Sequence, residues 1–399
     1  MITVEQARDA IVAGVSRAVD TETVPLGLAH GRFLADEVRA FVASPSFDNS
    51  AMDGYAVRVA DLQGNHVKLP ITSESRCGDA PPTLASQSAM RIFTGAPMPA
   101  GADAVVIQED VERQGSQAIF RSDVRAGENI RRQGEDFGAG EVLYRRGRRL
   151  SAYDIVLMGT AGIAEVTVFR RARALVIATG DELVSPGAER ATGQIYESNR
   201  LAAILQLQDL GVVASDGGII GDELDALRKA LDAASDYDFI ITSGGASAGD
   251  HDLVKQAFAE IGEINFWKVR IKPGKPVAFG HIGRQMHFFA LPGNPVSSLV
   301  TFKFFVEPAV FAWNHAQARC IELKATTLED FRRSPGRTEF LRGHVRTENG
   351  TLLARVLKGQ GSHMVGALRE TNALIRLEAE QAGFNRGEQV TVILLTLQL

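Results

Sequence analysis

Apolar residues recur along this chain with different periods, and the points where the period changes divide it into segments. Over Thr3 to Ala18, Val4, Ala7, Ile11 and Val15 fall near helical spacing, and Leu26, Leu28, Phe33 and Leu34 form a second stripe. Both predict a helical opening segment. Between Ser44 and Phe137 the pattern shortens to alternating runs broken by glycine and proline, as in Arg91 to Pro97 and Ala104 to Glu109, which predicts a β domain. Leu150 to Val168 then contains a helix-like portion, Tyr153 to Ala161, that would return the chain to the opening helix and make the β domain an insertion.

From Ala172 to Val310, apolar strands alternate with amphipathic helices. Strands are predicted at Ala174 to Thr179, Val212 to Ile220, Asp238 to Ser243, Ile264 to Ile271, Pro276 to Gly280 and His287 to Leu291, with helices at Asn199 to Leu210, Glu223 to Ala234, Leu253 to Ile261 and Pro295 to Val310. Such alternation builds βαβ units around a parallel sheet, whose ligands sit at the carboxyl ends of the strands. After Cys320 the runs Phe340 to Val345, Leu352 to Val356, Ala373 to Leu377 and Val390 to Leu397 predict a small β barrel or sandwich. The expected class is therefore α/β plus β. Predicted boundaries are 1–43 with 138–170 for a helical N-terminal linker domain, 44–137 for the inserted β domain, 171–318 for the α/β domain and 319–399 for the C-terminal barrel.

Length and composition agree with that division. A chain of 399 residues exceeds what one hydrophobic core usually organises. Its net charge of −5 offers no bulk attraction to nucleic acid or an anionic membrane, so any anion site must be local. Cys77 and Cys320 give neither a disulfide framework nor a thiolate metal site, and a reducing cytoplasm fits them. Glu5, Arg8 and Asp9 argue against a secretory signal, and no apolar run is expected to reach bilayer-spanning length.

The chemistry concentrates where strands give way to helices. Phe239 to Ile241 lead into Thr242-Ser-Gly-Gly-Ala-Ser-Ala-Gly-Asp250-His-Asp252. There Gly244, Gly245 and Gly249 let backbone N–H groups approach an anion at a helix start, and Asp250 and Asp252 supply oxygen to a hard cation. A glycine-rich turn capped by Asp250 accounts for the same residues. Thr179-Gly180-Asp181-Glu182 follows the first strand and Asp222-Glu223 the second, so carboxylates recur at successive strand ends. Several acids on one edge call for a cation, with magnesium the first choice because every ligand is oxygen. Asp222 by itself reads as a helix cap. Lys268, Arg270 and Lys272 alternate onto one strand face, and Pro273-Gly274 turns Lys275 toward the same edge, an arrangement suited to phosphate or to a charge-protected edge strand. Pro292-Gly293-Asn294-Pro295 opens another helix, with Ser297 and Ser298 N–H groups as anion donors or a purely structural start. In the β segment, Phe47 to Ala56 and Asn129 to Asp136 mix acids, amides and arginines without a core pattern. The histidines form no pattern.

Together the strings FDNSAMDGYA, RIFTGAP, NIRRQGEDF, TGDEL, GGASAGDHD, IKPGKP, LPGNPVS and GSHM, in this order, resemble the molybdopterin molybdenumtransferase family, the MoeA proteins and the related gephyrin E domain. The resemblance implies a MogA-like, three-layer α/β domain that binds molybdopterin. It also implies insertion of molybdate into adenylylated molybdopterin, with release of AMP. Residue by residue, it places Asp181, Glu182, Asp222 and Asp252 at nucleotide and metal, and Lys268, Lys272 and Lys275 at phosphate or molybdate. Pro292 and Pro295 would shape that pocket, with the cradle of Gly244, Gly245, Ser247, Gly249 and Asp250. Asp53, Thr94, Arg131 and Asp136 match positions facing the same cleft, and Arg342 and Ser362 match positions in the final domain. The family's homodimer sets that cleft between one protomer's α/β domain and the other's inserted domain; the adenylyltransferase and cofactor-accepting proteins are the further partners implied. Ala246 and Ala248 stand where valines are common, and His251 where an aromatic or small residue is frequent, which leaves molybdate against tungstate open. Two rivals are adenylylation of molybdopterin, the preceding step, and a scaffold role without catalysis.

Overall fold

The computed structural model describes residues 1–64, 66–121, 123–232, 234–244, 262–283, 286–318 and 320–395. They form two compact units, one of Met1–Glu22, Gly31–Phe33 and Phe169–Leu399, the other of Thr23–His30 and Leu34–Val168. The opening helix Val4–Gly14 belongs to the first unit, with Thr3 accepting from the Gln6 N–H and Gln6 reaching back to Thr3. The predicted second helical stripe does not form a helix: it follows a strand, Thr21–Pro25, makes a single 3-10 turn at Leu26–Leu28, and ends with Leu34 in an antiparallel bridge to Val168. Pro25 and Gly27 explain the difference, since both weaken a helix whatever the apolar spacing. The Leu26 N–H pairs with the Ala164 carbonyl at 2.9 Å instead.

The α/β portion of the first unit carries β1 (Arg173–Thr179), α1 (Asn199–Asp209), β2 (Val213–Ile220), α2 (Leu224–Asp232), β3 (Phe239–Ser243), β4 (Gly262–Lys268), β5 (Pro276–Ile282), β6 (Met286–Leu291) and α3 (Pro295–Thr301). The sheet order is β2-β1-β3-β6-β5-β4. The first four strands run parallel, and β5 lies antiparallel to both its neighbours. Near-continuous apolar strands are what a sheet covered on its faces requires. Ile177, Ile240 and Phe288 are fully buried and pack with Leu227 and Leu231 of α2. The predicted helix Leu253 to Ile261 lies outside the described residues.

A polar node ties the opening segment to this sheet. Buried His287 lies 2.8 Å from the Ser16 hydroxyl and accepts the Ser16 N–H at 3.2 Å, and its Nδ1 lies 3.1 Å from that of His281. Burial holds His287 neutral, pushing its pKa down to about 3, with His281 adding to the effect.

Helix α3 continues through a wide turn, Phe302–Val306, into Glu307–Trp313. The segment Pro295–Trp313 is long and apolar enough to cross a bilayer, which corrects the expectation from sequence, and it is 78% buried in the protein. Its charges Lys303 and Glu307 pair at 2.8 Å.

The last third of the chain closes into a barrel. Thr338–Glu348 pairs with both Thr351–Val356 and Ala373–Leu377, and the ring is completed through Gln389–Leu394 and Glu322–Thr327. Leu341, Val345, Ile375, Leu377 and Val392 fill it. In the second unit, a six-stranded sheet runs Ala104–Ile107, Gly54–Val57, Ala89–Ile92, Val67–Ser75, Gln117–Phe120, Val111–Gln114. Its core is built on Tyr55, Leu69, Val106 and Phe120, beside a second cluster around Met90, Ile92 and Val105.

Candidate active site

Parallel pairing brings four chain reversals of the first unit to one pole. Thr179 lies opposite Ile220, Ala178 opposite Ser243, and Ser243 opposite Leu291, so β1, β2, β3 and β6 end together. Glycine at two of these ends is a steric demand. Gly180, at φ +148°, donates its N–H to the Ile220 carbonyl at 3.2 Å. Gly244, at φ +96°, would put a Cβ 2.4 Å from the Thr179 carbonyl oxygen. Its N–H donates to the Leu291 carbonyl at 3.1 Å, locking the end of β3 to that of β6.

The acids gather on this pole. Asp181 accepts the Asp222 N–H at 2.9 Å, which joins the loop after β1 to the loop after β2. Burial raises the Asp222 pKa, and the charges of Asp181 and Glu182 push it further in the same direction. Asp222, Asp181 and Glu182 are all exposed, so the burial behind this shift is partial. Like charges held together in this way favour either a proton or a cation.

On the same pole, after β6, the turn Pro292-Gly293-Asn294-Pro295 leads into α3. Asn199, at the start of α1, donates its Nδ2 to the Gly293 carbonyl at 2.7 Å. Of the two predicted donors of this turn, Ser298 needs correcting. The Ser298 N–H is used by the Asn294 carbonyl at 3.0 Å, and the Val296 N–H donates to the Ser362 carbonyl at 3.1 Å. That second bond carries the barrel's Gly361-Ser362 turn to the same pole, a meeting that neither segment foretells alone.

The cationic stripe is broken. A single strand from Ile264 to Ile271 was expected, but β4 ends at Lys268 and Ile271–Lys272 is a separate strand, pairing in parallel with Thr338 and Glu339 of the barrel sheet. The alternating pattern of Lys268, Arg270 and Lys272 is the same in either case, so the sequence hides the change of sheet. Lys272 lies 2.8 Å from Glu339, itself 3.3 Å from Arg333, so its charge is already countered. Arg270 donates to the Gly336 carbonyl at 3.1 Å. Lys268 and Lys275 are exposed. Arg342 is 1% exposed, with burial pushing its pKa down. Its guanidinium donates to the Gly361 carbonyl at 3.1 Å and to that of Gly359. It therefore acts on the Ser362 turn from beneath.

In the second unit the structure joins three motifs that lie far apart in sequence. Arg131 pairs with Asn49 across a short antiparallel ladder, and Asp48 accepts from Arg132 Nη1 at 2.6 Å and from the Gln133 N–H at 2.8 Å. Asp53 accepts both the N–H and the hydroxyl of Thr94, at 2.8 and 2.9 Å. These bonds, the backbone N–H first, hold its carboxyl below the usual range. Arg131 and Asp136 are exposed.

Gly245, Ser247, Gly249, Asp250 and Asp252 lie outside the described residues. Among the described residues, no three His, Cys, Asp or Glu side chains come together closely enough to hold a metal ion. Sequence reasoning missed Asn199 and its neighbours. Buried Glu197 accepts the Arg200 N–H at 2.7 Å, and Arg200 reaches Asp216 of β2. The only signal was an acid before an amphipathic helix, which an ordinary cap also gives.

Three family models match along the chain: the MoeA N-terminal region (domain I and II) over residues 2–162, a probable molybdopterin binding domain over 175–312, and the MoeA C-terminal region (domain IV) over 324–395. A molybdopterin molybdenumtransferase of Haemophilus influenzae is 38% identical over 398 residues, with 98% of each chain covered. One from Bacillus subtilis is 34% identical, covering 94% of this chain and 90% of its own. The crystal structure of the molybdopterin biosynthesis moeA protein of Pyrococcus horikoshii OT3 superposes with a TM-score of 0.86 at 29% identity, covering 99% of this chain and 100% of the other.

Proposed function

Since the chain belongs to the MoeA family of molybdopterin molybdenumtransferases, we propose that it inserts molybdate into adenylylated molybdopterin, releasing AMP and forming molybdenum cofactor. The observation that carries this reading is the in-register pole of the α/β sheet, where Asp181, Glu182 and Asp222 crowd together beside the LPGNP turn and the Ser362 turn. Both substrates are anions and AMP is the leaving group. The reaction needs donors and cations for the oxyanions, and groups that orient the phosphoanhydride for cleavage.

The chain's own residues divide that work. Asp181 is oriented by the Asp222 N–H, and Asp222 is tuned by its acidic neighbours. Exposed Lys268 and Lys275 are free to meet phosphate or molybdate, whereas Lys272 must give up Glu339 to do so. Arg342 supports Ser362 through the carbonyl of Gly361. Asp53, fixed by Thr94, presents an ionised carboxylate from the inserted sheet, with Arg131 and Asp136 alongside in role. The oxygen chemistry of Asp181, Glu182, Asp222 and Asp252 is of the kind that suits magnesium, which would neutralise phosphate charge when bound, but the three described acids do not stand close enough together to hold an ion by themselves. A cytoplasmic homodimer, with each cleft drawing on both protomers, completes the proposal.

The carboxylate crowding supplies a test. A carboxyl whose pKa is raised by folding adds stability below its unfolded pKa and loses it as pH rises from there through its folded pKa, so ionised Asp222 costs stability at neutral pH. Asp222→Asn is expected to melt no lower than the wild type at pH 7.5 while losing most AMP release. A lower melting temperature together with full turnover would assign Asp222 to the fold instead.

A further inference from the structure

Asn199 makes a contact with the LPGNP turn that none of the groups above requires. Asn199 opens α1, yet its side chain does not cap that helix; the Arg200 N–H is taken by Glu197 instead. The amide reaches across 94 residues of sequence to one backbone carbonyl, that of Gly293. Pro292 and Pro295 fix the two ends of this turn, because their rings lock φ. Gly293 is its soft joint, exposed and without a side chain to hold its peptide in place.

The peptide between Gly293 and Asn294 is trans, as among the described residues only the bonds preceding Pro45 and Pro273 are cis. In a trans peptide the carbonyl oxygen and the following N–H point to opposite sides. Holding the Gly293 oxygen toward Asn199 therefore turns the Asn294 N–H away from α1. Among the described residues that N–H has no acceptor. Asn294 is exposed and its side chain makes no capping bond. A fixed peptide donor turned away from α1, two residues before the Val296 N–H that holds the Ser362 carbonyl, is suited to an anionic oxygen.

We propose that Asn199 is a positioning residue whose bond to the Gly293 carbonyl aims the Asn294 N–H at an oxyanion of the substrates, either a phosphate of the nucleotide or molybdate. The inference rests on the functional reading above and extends it to two residues that the motif match left without a role. The rest of the pole supports it: Glu197, Arg200 and Asp216 anchor the start of α1 to β2, so Asn199 is delivered from a rigid base.

Two variants separate aim from fold. Asn199→Asp keeps size but replaces the donor with an acceptor that repels the Gly293 oxygen. Asn294→Pro removes the N–H together with an exposed amide side chain that makes no capping bond, at a φ of −69° that proline adopts without strain. Calorimetric titration with AMP alone and with molybdate alone distinguishes the two sources of the oxyanion, and melting temperature reports the fold. The expected result is a loss of affinity of about tenfold for one of the two anions in both variants, the size of one hydrogen bond to a charged group, with melting temperatures near that of the wild type. Wild-type affinity for both anions in Asn294→Pro overturns the proposal, whatever Asn199→Asp does. If the wild type neither binds these anions nor turns over, the functional reading fails first and takes the proposal with it.

Discussion

Asp53→Ala is expected to lower AMP release from adenylylated molybdopterin by at least about 10²-fold, the usual scale for removing one preorganised polar group from a reacting centre. The melting temperature is expected to stay within a few degrees of the wild type. The carboxylate lies at the surface of its sheet and among the described residues accepts only from Thr94, whose N–H and hydroxyl can turn to water once it is gone. Substitutions of that kind cost about 0.5 kcal/mol or less. Thr94→Ala should act in the same direction and more weakly, because the stronger of the two bonds, the backbone N–H, survives it. Single-turnover AMP release and thermal melting of the two purified variants provide the check. Unfolding of Asp53→Ala, or turnover equal to the wild type, would remove Asp53 from the chemistry.

The next residue has the opposite signature. A methyl group on Gly54 would sit 2.0 Å from the Val106 carbonyl oxygen and 2.9 Å from its carbon. Gly54 lies in a strand paired on both sides, with Ile92 on one and Ile107 on the other, so neither neighbour can retreat without breaking a ladder. Gly54→Ala should therefore destabilise the protein by about 3 kcal/mol or more, at the high end for an overpacked core. Activity would be lost through unfolding. Chemical denaturation resolves the two cases, since Asp53→Ala keeps its midpoint and Gly54→Ala does not. A Gly54→Ala midpoint equal to the wild type would mean that the sheet around Asp53 is looser than its register indicates.

Much of this architecture was legible from local pattern. Strands β1, β2, β3 and β6 fall within a residue or so of their predicted spans, and β1, β3 and β6 do so because a strand covered on both faces reads as a continuous hydrophobic stretch. The placement of acids after successive strand ends followed from the same pattern, and parallel register turned it into proximity. What was hidden depends on partners remote in sequence. The KVRIK alternation is satisfied whether the chain stays in one sheet or crosses to another, and it crosses between Lys268 and Ile271. Arg342 carries a charge that predicts a ligand contact, yet the barrel buries it and spends it on the carbonyls of Gly359 and Gly361. Pro25 and Gly27 overrode an apolar spacing that spoke for a helix. Asn199 looked like any polar residue at a helix start, and only the position of Gly293 gives its amide a purpose.

Molybdate-dependent AMP release is the most direct measurement. The purified wild-type chain is given adenylylated molybdopterin and magnesium, with and without molybdate, and AMP is quantified alongside molybdenum retained by the pterin. The account predicts AMP appearing in step with molybdenum insertion and little without molybdate. Equal AMP release in both arms, or none in either, would contradict it.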